Sequence, residues 1–235
     1  MDASGFDRLT MLADGRGNVH LSYHGLDLAR FGPFAGERPD RDGSDPDAPV
    51  LILSVGRAVE KKGYDVLLDA LALLPRDLHW RFEHIGGGDL LGKLKARAGR
   101  LGIADRIAWK GALAHDDVLE RYRQAALFAL ACRIGADGDR DGLPNVLVEA
   151  SSQRLVCVST SISGVPELIS DGENGLLVPP DDPRALAAAL ERAIRDPALR
   201  KKLGAAAERK VRTSFDYHAS VRQLTELFEK EWRGA

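Results

Sequence analysis

Two acids, Asp141 and Glu149, stand eight positions apart in the stretch DGDRDGLPNVLVEAS, separated by a glycine, a proline and an apolar run. A loop that enters a helix at this spacing can bring both carboxylates to one ligand. Glu149 lies in VLVEAS and shares a helix face with Val146, one turn earlier. If that face is buried, an ionised carboxylate there is costly unless paired. A ligand bearing hydroxyl groups would supply the missing donors. A surface glutamate on an amphipathic helix reads the same way, and both readings stay open. Gly142 permits close backbone approach, and Pro144 suits the first helical position. The free N–H groups and the positive dipole end of such a helix face outward, ready for phosphate, although most helix starts bind only water.

Two cations follow an apolar run in SVGRAVEKKGYDVLLDAL. Gly56 makes the exit from a strand, Gly63 opens a helix, and Arg57 and Lys62 fall in the loop between. Arg offers a planar fork and Lys a point charge, and both suit a diphosphate. A solvated basic loop is the alternative. HIGGGDLL, residues 84–91, is a second glycine-rich turn, which could line a ligand cleft or be purely structural. It is not a dinucleotide fingerprint, because GxGxxG would need glycine at Leu91. No GxxxxGK[ST] phosphate loop occurs. The acids Asp137, Asp139 and Asp141 with Gly142 match the first half of a calcium loop. Such a loop needs a bidentate acid at its twelfth position, which is Val148 here, and Pro144 intrudes. No metal is expected.

The elements that must hold these residues are legible from hydrophobic period. Strands are predicted over Val19–Tyr23, Val50–Val55, His79–Ile85, Arg106–Lys110, Leu127–Ala131, Leu155–Ser159 and Gly175–Val178. Several are continuously apolar, as parallel strands covered on both faces are. Helices are predicted over Gly63–Leu74, Leu90–Leu101, Asp116–Ala125, Pro144–Ser152, Val165–Ser170, Pro183–Arg195, Pro197–Thr213 and Tyr217–Trp232. Asp182-Pro183 and Asp196-Pro197 are capping acids followed by proline, a good helix start. Strands separated by helices imply a doubly wound parallel α/β sheet, a single Rossmann-like domain. Such sheets bind ligands beyond the carboxyl ends of their strands, at a switch point. The Pro-, Gly- and Asp-rich segment 33–49 reads as a linker or exposed loop.

Composition narrows the function classes. The chain has 235 residues, 44% of them apolar, and a net charge of -2. That is enough for a full core and lacks the basic excess of a nucleic-acid binder. Cys132 and Cys157 sit in apolar runs without metal-ligand spacing, and both read as buried free thiols. No run reaches the roughly 18 apolar residues of a membrane span. A cytoplasmic protein is expected, with peripheral contact at the inner face of a membrane left open.

Five segments in order resemble one family: NVHLSYHGLDLARF, SVGRAVEKKGYDVLLDAL, HIGGGDLLGKL, WKGALAHDDVLERY and the long stretch from DGLPNVLVEAS to VPPDD. They are similar to the C-terminal, nucleotide-sugar-binding domain of the retaining glycosyltransferases of family four (glycosyl transferases group 1), which have the GT-B fold. The resemblance covers about residues 18–232. It implies that residues 1–18 are a remnant of an N-terminal acceptor-binding domain or linker, and that residues 19–235 bind the donor. A separate N-terminal acceptor domain would then be a partner, and the last helix would cross back to it.

The resemblance also implies roles. Arg57 and Lys62 would hold the diphosphate of a UDP- or GDP-sugar, and Glu149 would accept hydrogen bonds from the ribose. Asp141 would contact the transferred sugar. Backbone N–H groups of Gly142, Leu143, Asn145 and Val146 would touch sugar and phosphate. Gly56 would line the donor site, and Gly86, Gly87 and the segment Gly111–Leu113 would border its nucleobase. The implied reaction is hexosyl transfer with retention to a glycan or lipid-linked acceptor, in bacterial surface polysaccharide synthesis, without a further cofactor. One departure stands out. The first acid of the family's E-x7-E motif is commonly Glu, and Asp141 is one methylene shorter. A non-catalytic nucleotide-sugar-binding module is the alternative function.

Overall fold

The structure, a computed structural model, describes residues 3–13, 19–20 and 25–234. The predicted strand Val19–Tyr23 therefore lies largely outside the described residues. Six strands form one all-parallel sheet: β1 (Val50–Val55), β2 (Trp80–Ile85), β3 (Ile107–Gly111), β4 (Leu127–Leu130), β5 (Val156–Thr160) and β6 (Leu176–Val178). Their spatial order is β3-β2-β1-β4-β5-β6. Chain direction across the sheet reverses between β1 and β4, so the loops leaving these two strands diverge and open a crevice. The apolar runs explain which strands are central. Every residue of β4 and β5 is buried, and β1 alternates only between buried and half-buried.

Helices connect and flank the strands: α1 (Ala3–Leu12), α2 (Tyr64–Ala72), α3 (Leu91–Arg100), α4 (His115–Gln124), α5 (Asn145–Ser152), α6 (Val165–Leu168), α7 (Pro183–Arg195), α8 (Pro197–Ser214) and α9 (Tyr217–Gly234). α2 packs on α3 and α7, and α5 packs on α8 beside β5. The two Asp-Pro starts behave as their chemistry dictates. Asp182 Oδ1 accepts from Arg184 N–H and Ala185 N–H at 3.0 and 2.9 Å, and Asp196 Oδ1 accepts from Leu199 N–H at 2.8 Å. Pro144 differs from expectation. It is the residue before α5, with ψ 120° and extended backbone, so Asn145 opens the helix. Gly63 likewise precedes α2 instead of opening it.

Segment 33–49 has no regular secondary structure, as expected, but it is no free linker. Arg38 donates to the carbonyls of Ala125, Tyr122, Gln153 and Arg154. Arg200 grips the Arg41 carbonyl from α8 at 2.5 Å. The segment is a strap across the amino edge of β4 and β5. Burial, then the charges of Arg154 and Arg200, push the Arg38 guanidinium down to about 10. No motif announced this strap, because its partners are backbone carbonyls more than 80 residues away. Helix α1 was not anticipated either. Its Leu9, Met11 and Leu12 are exposed. On α9, Val221, Leu224, Phe228 and Trp232 form an exposed apolar stripe. No helix among the described residues is long and apolar enough to cross a membrane. Cys132 and Cys157 are free and buried, and burial pushes both thiols up to about 12.

Candidate functional site at the switch point

The loops after β1, β2, β4 and β5 meet at the carboxyl edge of the sheet. Backbone contacts hold them together. The β1 loop reaches the β2 loop where Ala58 N–H donates to Gly87 O at 2.6 Å and Leu90 N–H to Ala58 O at 3.0 Å. Gly86 sits at φ 137°, and a Cβ there would lie 2.1 Å from Gly56 O. Gly63 has φ 59°, and a Cβ there would lie 1.9 Å from Ala131 O, at the end of β4. Only glycine allows backbones to pass this closely. The β5 loop joins where Gly164 N–H donates to Gly142 O at 2.9 Å.

On this frame the charged groups pair across the crevice. Lys62 Nζ stands 2.8 Å from Asp141 Oδ2, and both side chains are mostly shielded from solvent. Lys61 Nζ stands 3.6 Å from Asp141 and 3.1 Å from Asp139. The Asp139 hydrogen bond raises the Lys61 ammonium above its ordinary value, against a smaller effect of burial. Arg133 ties the same loops, donating to Glu60 O and pairing with Asp65 and Asp181. Ala136 N–H donates to Glu60 Oε1 at 3.0 Å. The acidic run DGDRDG thus gives two of its carboxylates to lysines, and the third, Asp137, accepts Asp139 N–H at 2.9 Å. Among the described residues no group of three or more His, Cys, Asp or Glu side chains is set out to hold a metal ion.

Arg57 is exposed, and its guanidinium makes no hydrogen bond or ion pair within the described residues, although its carbonyl accepts from Val59 N–H at 2.9 Å. Beneath it lies His84, fully buried at the end of β2. Burial lowers its imidazole to about 4, so the ring is neutral at pH 7. Nε2–H is then the tautomer that donates to Gly56 O at 3.1 Å. Tyr64 and Trp109 pack against the ring at 4.5 and 5.3 Å between centroids.

Glu149 occupies a different environment. It lies one turn into α5, on a half-buried face with Val146. Its Oε2 accepts a hydrogen bond from Tyr122 Oη at 2.9 Å. Burial raises the carboxyl above its ordinary value, and the Tyr122 hydrogen bond and the His115 charge oppose that rise. The two acids of the motif therefore do not share a partner: Asp141 faces lysines and Glu149 faces a phenol. Gly142 and Asn145 are exposed, and Leu143 and Val146 are half-buried at the start of α5. A Cβ on Gly142 or Gly87 would meet open space.

The structure thus gathers Gly56, Arg57, Lys62, Gly86, Gly87, Asp141 and Gly142 at one edge, with Glu149 on the adjoining helix. Sequence reasoning missed Lys61, His84, His115 and Tyr122, and weighed Asp139 only as part of a calcium loop. Lys61 adjoins Lys62 and could have been taken with it. Tyr122, as an apolar-face aromatic on α4, carried no signal of a polar partner.

Known proteins resemble this chain in sequence and in fold. The sequence profile of the glycosyl transferases group 1 matches residues 38–210. The amylovoran biosynthesis glycosyltransferase AmsK of Erwinia amylovora is 36% identical over 183 residues, covering 77% of this chain and 45% of that protein. A GDP-mannose-dependent alpha-(1-6)-phosphatidylinositol monomannoside mannosyltransferase of Mycolicibacterium smegmatis is 30% identical over 208 residues, covering 86% of this chain and 54% of that protein. The chain spans about half the length of the curated relatives it matches. Among solved structures, sucrose-phosphate synthase of Thermosynechococcus elongatus superposes with a TM-score of 0.83 at 23% identity, over 100% of this chain and 58% of that one. Anabaena HepE in complex with UDP-glucose superposes with a TM-score of 0.77 at 22% identity, over 94% and 60%. Both likenesses bear on the fold.

Proposed function

The chain belongs to the glycosyl transferases of group 1, and from that premise we propose that it is the donor-binding part of a glycosyltransferase. It would move a hexosyl group from a nucleoside-diphosphate sugar to a glycan or lipid-linked acceptor, with retention. The observation that carries this reading is the pairing of Lys61 and Lys62 with Asp141 at the switch point, at 3.6 and 2.8 Å, with Arg57 on the same loop. Cations at this edge meet the diphosphate, and Asp141 accepts from a hydroxyl of the sugar. Free N–H groups of Gly142 and Leu143 and the start of α5 add donors to the same place. Glu149 Oε1 takes no protein partner among the described residues, and it would accept from the ribose.

In this reaction the bond from the anomeric carbon to the diphosphate oxygen breaks, and a bond to the acceptor oxygen forms on the same face. The acceptor's proton passes to a leaving phosphate oxygen. The demand on the protein is stabilisation of charge on the leaving group, and preorganised donors of this kind are worth about 10²–10³ in rate each. Polysaccharide or glycolipid assembly at the inner face of a membrane is the setting we infer, by analogy with the names of the relatives. The donor would be a UDP- or GDP-sugar.

Titration calorimetry with UDP, GDP, UDP-glucose and GDP-mannose tests the reading. Arg57→Ala, Lys62→Ala and Glu149→Ala are each expected to weaken binding by about tenfold or more, the scale of a lost hydrogen bond to a charged group. Unchanged affinity in all three variants would refute it. Because the chain spans about half of its curated relatives, a nucleotide-sugar-binding module without transfer activity is the second reading. Sugar transfer by the purified chain decides against that second reading.

A further inference from the structure

We propose that Tyr122 is a positioning residue for nucleotide binding, which holds the Glu149 carboxylate turned so that one oxygen is left for the ribose. This rests on the reading of Glu149 as the ribose acceptor. Tyr122 is the one buried residue of α4, with no exposed surface, and its ring packs 5.9 Å from Phe128 on β4. A fully buried phenol needs a partner for its hydroxyl. Among the described residues the hydroxyl donates to Glu149 Oε2, at 2.9 Å.

The hydroxyl is held as a donor. Burial and the neighbouring Glu149 charge push its ionisation far above the ordinary value. The ring is anchored by the sheet, so the donor position is fixed before any ligand arrives. The groups that face the carboxylate are Tyr122 Oη and, through its charge, His115. Both come from α4, and Ser152, one turn along α5, engages the Glu149 backbone carbonyl and not the side chain. His115 Nε2 is itself buried with no partner among the described residues. Oε2 is therefore engaged by protein, and Oε1 is the acceptor that remains.

Loss of the Tyr122 hydroxyl leaves Oε2 desolvated and unpaired. The carboxyl then titrates at higher pH, and the protonated form cannot accept two hydrogen bonds as well. Tyr122→Phe keeps the ring and its packing, so it isolates the donor. The test compares wild type, Tyr122→Phe and Glu149→Gln by calorimetry between pH 5 and 8, with UDP, GDP and inorganic pyrophosphate as probes. Pyrophosphate lacks the ribose and reports the cations alone. Tyr122→Phe is expected to weaken UDP or GDP about three- to tenfold at pH 7, in line with one lost hydrogen bond to a charged group. It should also move the acid limb of binding upward by about one pH unit, and leave pyrophosphate affinity unchanged.

Equal loss for pyrophosphate and nucleotide would mean a general structural effect and overturn the proposal. If Glu149→Gln weakens nucleotide while Tyr122→Phe matches wild type in affinity and pH limb, the positioning role is refuted and the ribose reading stands. If Glu149→Gln also binds like wild type, both fall.

Discussion

Gly63→Ala separates the frame of the site from its chemistry. Gly63 lies between Lys62 and α2 with φ 59°, a left-handed conformation. An alanine there carries a backbone penalty of about 1–2 kcal/mol. Its Cβ would also stand 1.9 Å from Ala131 O, so one of the two backbones must shift. Forcing such overlap into a packed interior costs about 1–3 kcal/mol. The sum, about 2–5 kcal/mol, corresponds to a fall in Tm of roughly 4–20 °C for a chain of this size. The displaced loop carries Lys61 and Lys62 away from Asp139 and Asp141, so nucleotide affinity should fall as well. Gly142→Ala is the control. Its Cβ meets open space, so Tm should stay within about 2 °C of wild type, while the added methyl crowds the proposed donor site and weakens UDP-sugar binding. Thermal unfolding by circular dichroism, paired with calorimetry, reads both. A Gly63→Ala melt within about 2 °C of wild type would refute the close-approach argument.

Other outcomes follow from the same geometry. Glu149→Gln should raise Tm at pH 7 by a few degrees while it weakens nucleotide binding. The Glu149 carboxyl is raised by burial, so native protein binds its proton more readily than unfolded chain. Stability therefore falls as pH climbs from about 4.3 through the raised value, and the variant should lack that slope; a lower Tm at pH 7 counts against it. Glu208 has the opposite sign. Burial alone would raise it, but hydrogen bonds from Arg154 and Arg212 outweigh burial and hold it below the ordinary value. Its contribution is complete above about 4.3 and lost as pH falls through its lowered value. Glu208→Gln should lower Tm by a few degrees at pH 7, and the gap to wild type should close in strong acid; a gap independent of pH would contradict this. Asp182→Ala removes the acceptor for two N–H groups of α7 and should cost about 1 kcal/mol, or about 2–4 °C. No change in Tm would show the cap to be redundant.

Local pattern made most of the frame legible. The apolar runs of β1, β4 and β5 mark strands covered on both faces, and each is buried or half-buried along its whole length. Boundaries moved by a residue or two, as at Pro144, where the extended backbone before α5 displaced the expected start. Gly56, Gly63, Gly86 and Gly142 marked the turns correctly, because each stands at a strand exit or helix entry that the hydrophobic period delimits. The ordered segments also pointed to the family that the sequence profile then matched.

What the sequence by itself determined is therefore the kind and order of the elements, the loops that carry charge, and the resemblance that gives those loops a use. Tertiary structure alone decided which charges meet. Lys61 and Asp139 are 78 positions apart, Tyr122 and Glu149 are 27 apart, and Arg38 finds carbonyls up to 116 positions away. Helical and strand periods report which way a side chain faces over a few residues. They carry no information on which distant loop shares its edge. That is set by strand order, by the reversal between β1 and β4, and by backbones that only glycine lets pass.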